Sequence, residues 1–489
     1  MIRSVRRSLV FLAFLLVGLL YFPSSVALAA SGESLGNQLP MWSVIPFAGI
    51  LLSIALFPLL APHFWEHNMG KVSLFWSIAF FVPFLMGYGF DRAVYQLLHI
   101  YVIDYIPFII LLTGLFAISG GITVRGSLTG TPLLNTTILA IGSVLASIIG
   151  TTGASMLLLR PLIRALACRR NKAHTIVFFI FIVSNIGGSL TPIGDPPLFL
   201  GFLHGVTFFW TLKLLPLFLL NVSVLLVVYF VLDSYLLRRE RGSLLAASSR
   251  RHQPISIAGM NNFILLAGVI GAIVLSGTFA KHPFFFDAAA GHDRGIPLFA
   301  IDGHMLVMPL MNVFRDGIIL LLAWFSMRST PIRLRKENNF TWNPIKEVAI
   351  LFAGIFATII PAIAILQARG GELGVTSAAQ FFWASGALSS FLDNAPTYLT
   401  FLSLAGGLGL NAGVWTDLGF VTPEVLMAIS AGSVFMGANT YIGNAPNFMV
   451  RSIAEENEIK MPSFFGYMAW SGCVLIPLFI LDTLIFFMK

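Results

Sequence analysis

Twelve apolar stretches between residues 41 and 487 set the limits on what this chain can fold into. The first six lie near 41–61, 72–90, 105–122, 132–166, 175–209 and 211–232. The second six lie near 258–279, 305–326, 347–366, 376–411, 424–450 and 463–487. Crossing about 30 Å of hydrocarbon takes roughly 20 apolar residues per helix, and most of these stretches are of that length. Only 10% of the 489 residues are charged, against about 25% in an ordinary soluble domain, and the mean hydropathy is +0.88. No soluble shell can be drawn from that, so the expected class is an all-α polytopic membrane protein.

The few charges report topology. The net charge of +8 comes from 29 basic and 21 acidic residues and gathers in a few loops, which is a membrane-orientation signal rather than a nucleic-acid footprint. Three basic clusters should be cytoplasmic: Arg160, Arg164, Arg169, Arg170 and Lys172; Arg238, Arg239, Arg241, Arg250 and Arg251; and Arg328, Arg333, Arg335 and Lys336. The two cysteines, Cys168 and Cys473, are too few for a disulfide framework or a cysteine-ligated metal. Residues 1–30 read as a signal peptide: Arg3, Arg6 and Arg7, then an apolar core from Leu9 to Phe22, then Ala27-Leu28-Ala29 as a cleavage site. An uncleaved N-terminal anchor is the alternative, and both leave residue 40 outside.

Parity then forces two hairpins. Three crossings from the outside reach the inside at Arg125, yet the cluster at 160–172 must also be inside although about 35 apolar residues intervene. Residues 132–166 are therefore expected to enter and leave by the same face, turning at Thr151-Thr152-Gly153. Such a turn is tolerated only where protein buries it or it lines a cavity. Residues 376–411 form the second hairpin, opening to the other face, with its tip at Asp393-Asn394-Ala395-Pro396. The expected architecture is about ten transmembrane helices plus two hairpins, in two inverted repeats. Repeat 1 spans 41–235 (tip 151–155, broken helix 184–199), a basic linker spans 236–257, and repeat 2 spans 258–489 (tip 393–397, broken helix 437–448).

The halves also match residue by residue. Thr191-Pro192-Ile193-Gly194-Asp195-Pro196-Pro197-Leu198-Phe199 aligns with Thr440-Tyr441-Ile442-Gly443-Asn444-Ala445-Pro446-Asn447-Phe448 at an offset of 249. The tips align, Thr151 with Asp393, at an offset of 242. Glycines and prolines in these motifs (Gly194, Pro196, Pro197, Gly443, Pro446, Pro396) break helices at mid-membrane, and the freed backbone groups need a partner such as an ion or polar substrate. Asn185, Thr191, Gly194 and Asp195 of one half, and Asn439, Thr440, Gly443 and Asn444 of the other, should face the tips.

Asp195 and Asp393 weigh most. A carboxylate at mid-bilayer costs about 3 kcal/mol on insertion scales and is by default functional. Two of them in one site would bind protons and a small cation in competition. Against this stands the reading that they cap helix starts or pair with Arg160 or another base. Asp316 beside Arg315, and Asp482 in the last helix, are weaker candidates. The loop bearing His282, Asp287, His292, Asp293, Asp302 and His304 reads as solvated rather than metal-binding. No nucleotide fingerprint is present: Gly407-x-Gly409 has no preceding strand.

Ser184-Asn185-Ile186-Gly187-Gly188, the run from Thr191 to Pro197, Leu392-Asp393-Asn394-Ala395-Pro396-Thr397, and Gly437-Ala438-Asn439-Thr440-Tyr441-Ile442-Gly443-Asn444-Ala445-Pro446 resemble the ion transporter superfamily. Within it they are most similar to NhaD-type sodium/proton antiporters, related to arsenite and citrate permeases. The resemblance implies inverted repeats with re-entrant hairpins, a homodimer in the lipid of a bacterial inner (plasma) membrane, and a substrate held between hairpin tips and broken helices. The expected function is sodium/proton antiport without a cofactor, Na⁺ sitting at Asp195 and Asp393 with oxygens from Thr151, Thr152, Asn394, Asn439 and Thr440. A citrate, other carboxylate or arsenite permease is the alternative. An intramembrane enzyme is a remote one, since the nine histidines read as scattered mostly in loops.

Overall fold

A computed structural model describes residues 34–126, 129–240, 256–287, 292–301 and 304–488. The signal segment 1–30, with Arg241, Arg250 and Arg251 of the basic linker and Asp302, lies outside the described residues.

Among the described residues the chain is helical in its long elements, and ten segments are long and apolar enough to cross a membrane. Helix α1 (Ile45–Leu60) is followed directly by α2 (Pro62–Tyr88). That second helix begins well before the expected residue 72, because Pro62 at its first position has the fixed φ that opens a helix and costs no hydrogen bond there. His63 and His67 are therefore helical rather than loop residues. The third crossing runs from 90 to 119 as α3 (Phe90–Ile100), a π turn (Tyr101–Tyr105) and α4 (Ile106–Ser119).

The first hairpin is α5 (Pro132–Ile149) and α6 (Thr151–Ala165), with Gly150 alone at the tip. Thr131 caps its entry by accepting from Leu134 N at 3.3 Å. The next crossing is broken: α7 (Ala173–Ile182), an irregular stretch, then α8 (Pro196–Leu203). Helix α9 (Leu215–Arg239) closes the first half.

In the second half α10 (Asn261–Thr278) and α11 (Leu310–Ser329) flank a small β region within residues 286–309. Strand β1 (Thr123–Arg125) pairs with β2 (Ser256–Ala258), and β3 (Phe286–Asp287) with β4 (His292–Asp293). The antiparallel pair β5 (Gly295–Ile301) and β6 (His304–Pro309) takes residues 305–309, expected as membrane helix, into a strand. Pro309 sits at an extended ψ of 130° and the helix starts only after it. Short α12 (Ile332–Glu337) leads to α13 (Asn343–Arg369).

The second hairpin is α14 (Ala378–Ser389) and α15 (Asn394–Gly406), opened by a capping box between Ser377 and Gln380. Strands β7 (Val414–Thr416) and β8 (Gly419–Val421) connect it to the second broken segment, α16 (Pro423–Phe435) and α17 (Ala445–Glu456), and α18 (Phe464–Asp482) ends the fold. Of the ten apolar segments one is the hairpin arm Pro132–Ile149, while the second broken segment is too interrupted to be among them.

Burial separates two populations. In the broken crossing, 89% of residues 173–190 are buried within the protein, whereas only 22% of the most apolar window of Pro62–Tyr88 is. The broken segments and hairpins thus form the interior, where irregular backbone can be satisfied by protein. Around them the long helices expose apolar side chains such as Val227, Val231, Ile264, Leu321 and Trp324. One polar clamp ties the end of α9 to the mouth of the first hairpin. Arg169 Nη2 donates to Asp233 at 2.6 Å, its Nε to Glu240 at 3.0 Å, and its Nη1 to Gly130 O at 2.7 Å. The two cysteines are unpaired.

Candidate functional site

Four motif elements converge on one carboxylate. Asp195 is the residue before α8, extended at φ −142°, ψ 142°, and Pro196 and Pro197 occupy the first helical positions, where missing N–H groups cost nothing. Its carboxylate receives three side-chain hydrogen bonds from three other elements. Thr151 Oγ1, at the first position of α6, donates to Oδ1 at 3.0 Å. Asn394 Nδ2, at the first position of α15, donates to Oδ2 at 2.5 Å. Asn444 Nδ2, before α17, donates to Oδ1 at 3.3 Å. Asp195 is 1% exposed and Asn394 is fully buried, so these bonds form away from water, where charged hydrogen bonds are strong.

The shell continues through amides. Asn444 Nδ2 also lies 3.2 Å from Asn185 Oδ1, and Asn185 Nδ2 donates to Asn447 Oδ1 at 2.7 Å. Asn447 in turn donates to Gly437 O and Thr440 O at 2.8 and 2.9 Å. Buried Asn447 and Ser147 were not among the residues singled out from sequence. Asn447 is one residue after Pro446 in the motif, and its position beside the helix break was the signal available.

Thr191 and Thr440 each meet a hairpin, as residues expected to face the tips. Each hydroxyl donates to a backbone carbonyl of its own hairpin, Thr191 to Ser147 O and Thr440 to Ser390 O, both at 2.5 Å. Ser147 Oγ bonds back to Gly187 O at 2.5 Å and Ser390 Oγ to Met436 O at 3.1 Å. The two halves are therefore stapled by the same bonds. These pairs keep the broken-helix offset of 249 but set the hairpin offset at 243, one residue from the 242 read in the sequence. Gly150 thus corresponds to Asp393, and Thr151 to Asn394. Helix starts decide the register, because α6 begins at Thr151 and α15 at Asn394.

The glycines hold the breaks closed. A Cβ on Gly194 would lie 2.1 Å from Gly188 O, and one on Gly443 would lie 2.5 Å from Gly437 O, so neither position admits a side chain without movement. Thr151 N donates to Gly194 O at 2.8 Å, joining tip to break. Pro396 falls in the first turn of α15 and Pro446 in that of α17.

Asp393 is placed differently from Asp195. It caps α15, its Oδ1 accepting from Ala395 N at 3.1 Å, as the capping alternative holds. It is also close enough for its charge to act on Asp195. Neither acid pairs with Arg160, whose charged neighbours are Glu456 and Arg164. Asn439 donates to Ser390 Oγ at 2.9 Å and stands outside the Asp195 shell, and half-buried Thr152 makes no side-chain bond to that carboxylate. Asp316 is paired with Arg315 at 2.8 Å, and Asp482 accepts from Asn221 at 2.9 Å.

A second charged group, buried at His204 and Asp104 and exposed at Asp417, was not legible in the sequence. His204, which ends α8, places Nδ1 2.8 Å from Asp417 and Nε2 3.4 Å from Asp104, and Asp417 N donates to His204 O at 3.1 Å. Asp104 lies in the π turn of the third crossing, and local π geometry of this kind often marks functional positions. Separately, Arg315 is 3% exposed, leaves Nη2 without a partner, and sets its guanidinium 5.8 Å from the Phe199 ring of α8. A cation therefore does approach the helix that Asp195 begins, although none occurs in the motifs.

No curated relative matches the chain. A family described as "putative citrate transport" matches residues 36–487, which takes in both hairpins, both broken segments and the Asp195 cluster. That family is of the ion transporter and citrate permease type that the motifs resemble. The chain is a multi-pass membrane protein, and it belongs to this citrate-transport family.

Proposed function

We propose that the chain is a secondary active transporter that exchanges Na⁺ for protons at Asp195 and Asp393, across a bacterial inner membrane and from two inverted repeats. One observation carries this reading: the Asp195 carboxylate is hydrogen-bonded at once by both hairpin tips and by the opposite broken helix. Adding a proton or a cation there changes the bonding of all four elements together. A site whose occupancy is coupled to its surroundings in this way can prefer one facing when loaded with Na⁺ and the other when protonated. Thr151 and Asn394 supply oxygens beside the carboxylate, and Asp393 supplies the second negative charge. Thr191 and Thr440, which tie each break to its hairpin, act as positioning residues.

A second reading has its own support. In it the chain carries citrate or another carboxylate, with the coupling cation held at the same acids. The family description points that way, and buried Arg315 beside α8 offers an anion a positive group.

Proteoliposomes decide between them. Na⁺-dependent collapse of a pH gradient is expected for the unmutated protein and is expected to be lost in Asp195→Asn. If Asp195→Asn and Asp393→Asn both exchange at the unmutated rate, the carboxylate mechanism is wrong. Labelled citrate uptake, with no Na⁺/H⁺ exchange in the absence of citrate, replaces the first reading by the second.

A further inference from the structure

Away from the Asp195 cluster, a second set of ligating side chains comes together on α2. His63, Glu66 and His67 fall in its first two turns, where spacings of three and four residues bring side chains to one face. Each offers a ligand atom within 4.8 Å of the others, and among the described residues no other trio of His, Cys, Asp or Glu does so. All three are exposed. The His63 and His67 rings lie 4.8 Å apart, and His67 Nδ1 is 3.0 Å from His63 O. An Nδ1–H donated to that carbonyl leaves Nε2 with a free lone pair, which is how metal-binding histidines are commonly held.

Ser73 Oγ donates to Ile350 O at 2.9 Å, so α2 packs on α13 beyond the trio, which itself stays exposed. By the topology of the basic loops, this end of both helices faces the cytoplasm.

We propose that His63, Glu66 and His67 bind a divalent transition metal of the zinc class at the cytoplasmic face. Two imidazoles at i and i+4 with a carboxylate on the same helical face suit Zn²⁺, Ni²⁺ or Co²⁺. They do not suit Mg²⁺ or Ca²⁺, which take oxygen ligands. Three ligands from one exposed helix leave positions open to water, so the ion is exchangeable rather than part of the fold. The site goes beyond the transport reading and does not depend on it.

The test uses the tag-free full chain in lipid nanodiscs, titrated with Zn²⁺ alone against a chromophoric chelator. About one Zn²⁺ per chain is expected, weakened about tenfold or more by His63→Ala or His67→Ala and less by Glu66→Gln. Excess Mg²⁺ is not expected to compete, and Asp195→Asn is expected to bind Zn²⁺ as the unmutated chain does. Since the three side chains are exposed, the variants should melt like the parent, which separates lost ligands from lost fold. The proposal is overturned if no saturable binding is seen, or if His63→Ala/His67→Ala binds as tightly as the parent. It is equally overturned if Asp195→Asn abolishes the binding.

Discussion

The two hairpin tips are stapled by the same bonds and yet turn in different ways. At the first, Gly150 takes φ +81°, a conformation open to glycine, and carries no side chain; Thr151 then reaches Asp195. At the second, Asp393 takes φ −58° and caps its own helix, and Asn394 then reaches the same carboxylate. Both tips address Asp195 from the first helical position, but only one brings a charge. The two halves thus share backbone devices and differ in electrostatics: the first places its acid at the helix break, the second at the hairpin tip.

That contrast is most sharply broken at Asp195. Asp195→Asn removes the charge that three donors share, and charged hydrogen bonds contribute about 1.5–3 kcal/mol each, so exchange in vesicles should fall at least about a hundredfold. Asp393→Asn keeps a capping side chain and should lose about tenfold. Equal losses at the two sites would erase the distinction drawn between them.

The next test concerns the breaks themselves. Gly194→Ala forces a Cβ to 2.1 Å from Gly188 O, and Gly443→Ala forces one to 2.5 Å from Gly437 O. Both face backbone that cannot swing aside, so each should destabilise by about 3 kcal/mol or at the upper end of overpacking costs, the first more than the second. Thermal unfolding in detergent measures this, and a parental melting curve for Gly194→Ala would refute the packing described.

Smaller effects separate the tips. Gly150→Ala places a Cβ at positive φ and should cost about 1 kcal/mol. Asp393→Gly, which makes the second tip resemble the first, should cost only a few tenths of a kcal/mol in capping while still lowering exchange. Capping and charge would then be separated by comparing melting with transport in one variant.

The smallest expected effect compares one polar cluster from each half. Glu240 is buried, which opposes its charge, but N–H groups of Asn171 and Arg170 and the Arg169 guanidinium outweigh this and hold its carboxyl below the ordinary value of 4.5. Its contribution is therefore present above pH 4.5 and is lost as pH falls through the depressed value in the folded protein. The stability gap between parent and Glu240→Gln should hold at neutral pH and close under acid. In the second half Glu337 meets Arg125 and Arg333 in exposed pairs, which salt screens, so Glu337→Gln should leave melting unchanged.

Much of the fold could be read from the chain. Glycine, proline, threonine and asparagine inside apolar stretches mark both hairpins and both broken helices, because membrane interiors allow such residues only where protein satisfies their backbone. The one-residue error at the tips arose where the halves diverge most, glycine in one and aspartate in the other, so side-chain likeness misled where helix starts decide. His63 and His67 were missed because the polar first turns of α2 look like a loop until Pro62 is seen to begin a helix. The Asp104–His204–Asp417 group was not legible at all, since its members lie on three separate elements and none stands in a motif.

By itself, the sequence determined that this chain spans a membrane many times, where its helices break, and that two aspartates remain in the apolar mass. Periodicity, helix breakers and the cost of buried charge are local properties, and they can be read locally. Which aspartate becomes the shared hub is not local. The donors to Asp195 come from 44, 199 and 249 residues away, and a hydrogen bond forms only when packing brings them within about 3 Å. Only the tertiary structure could give the second aspartate its other task, as the cap that starts the helix from which Asn394 reaches across.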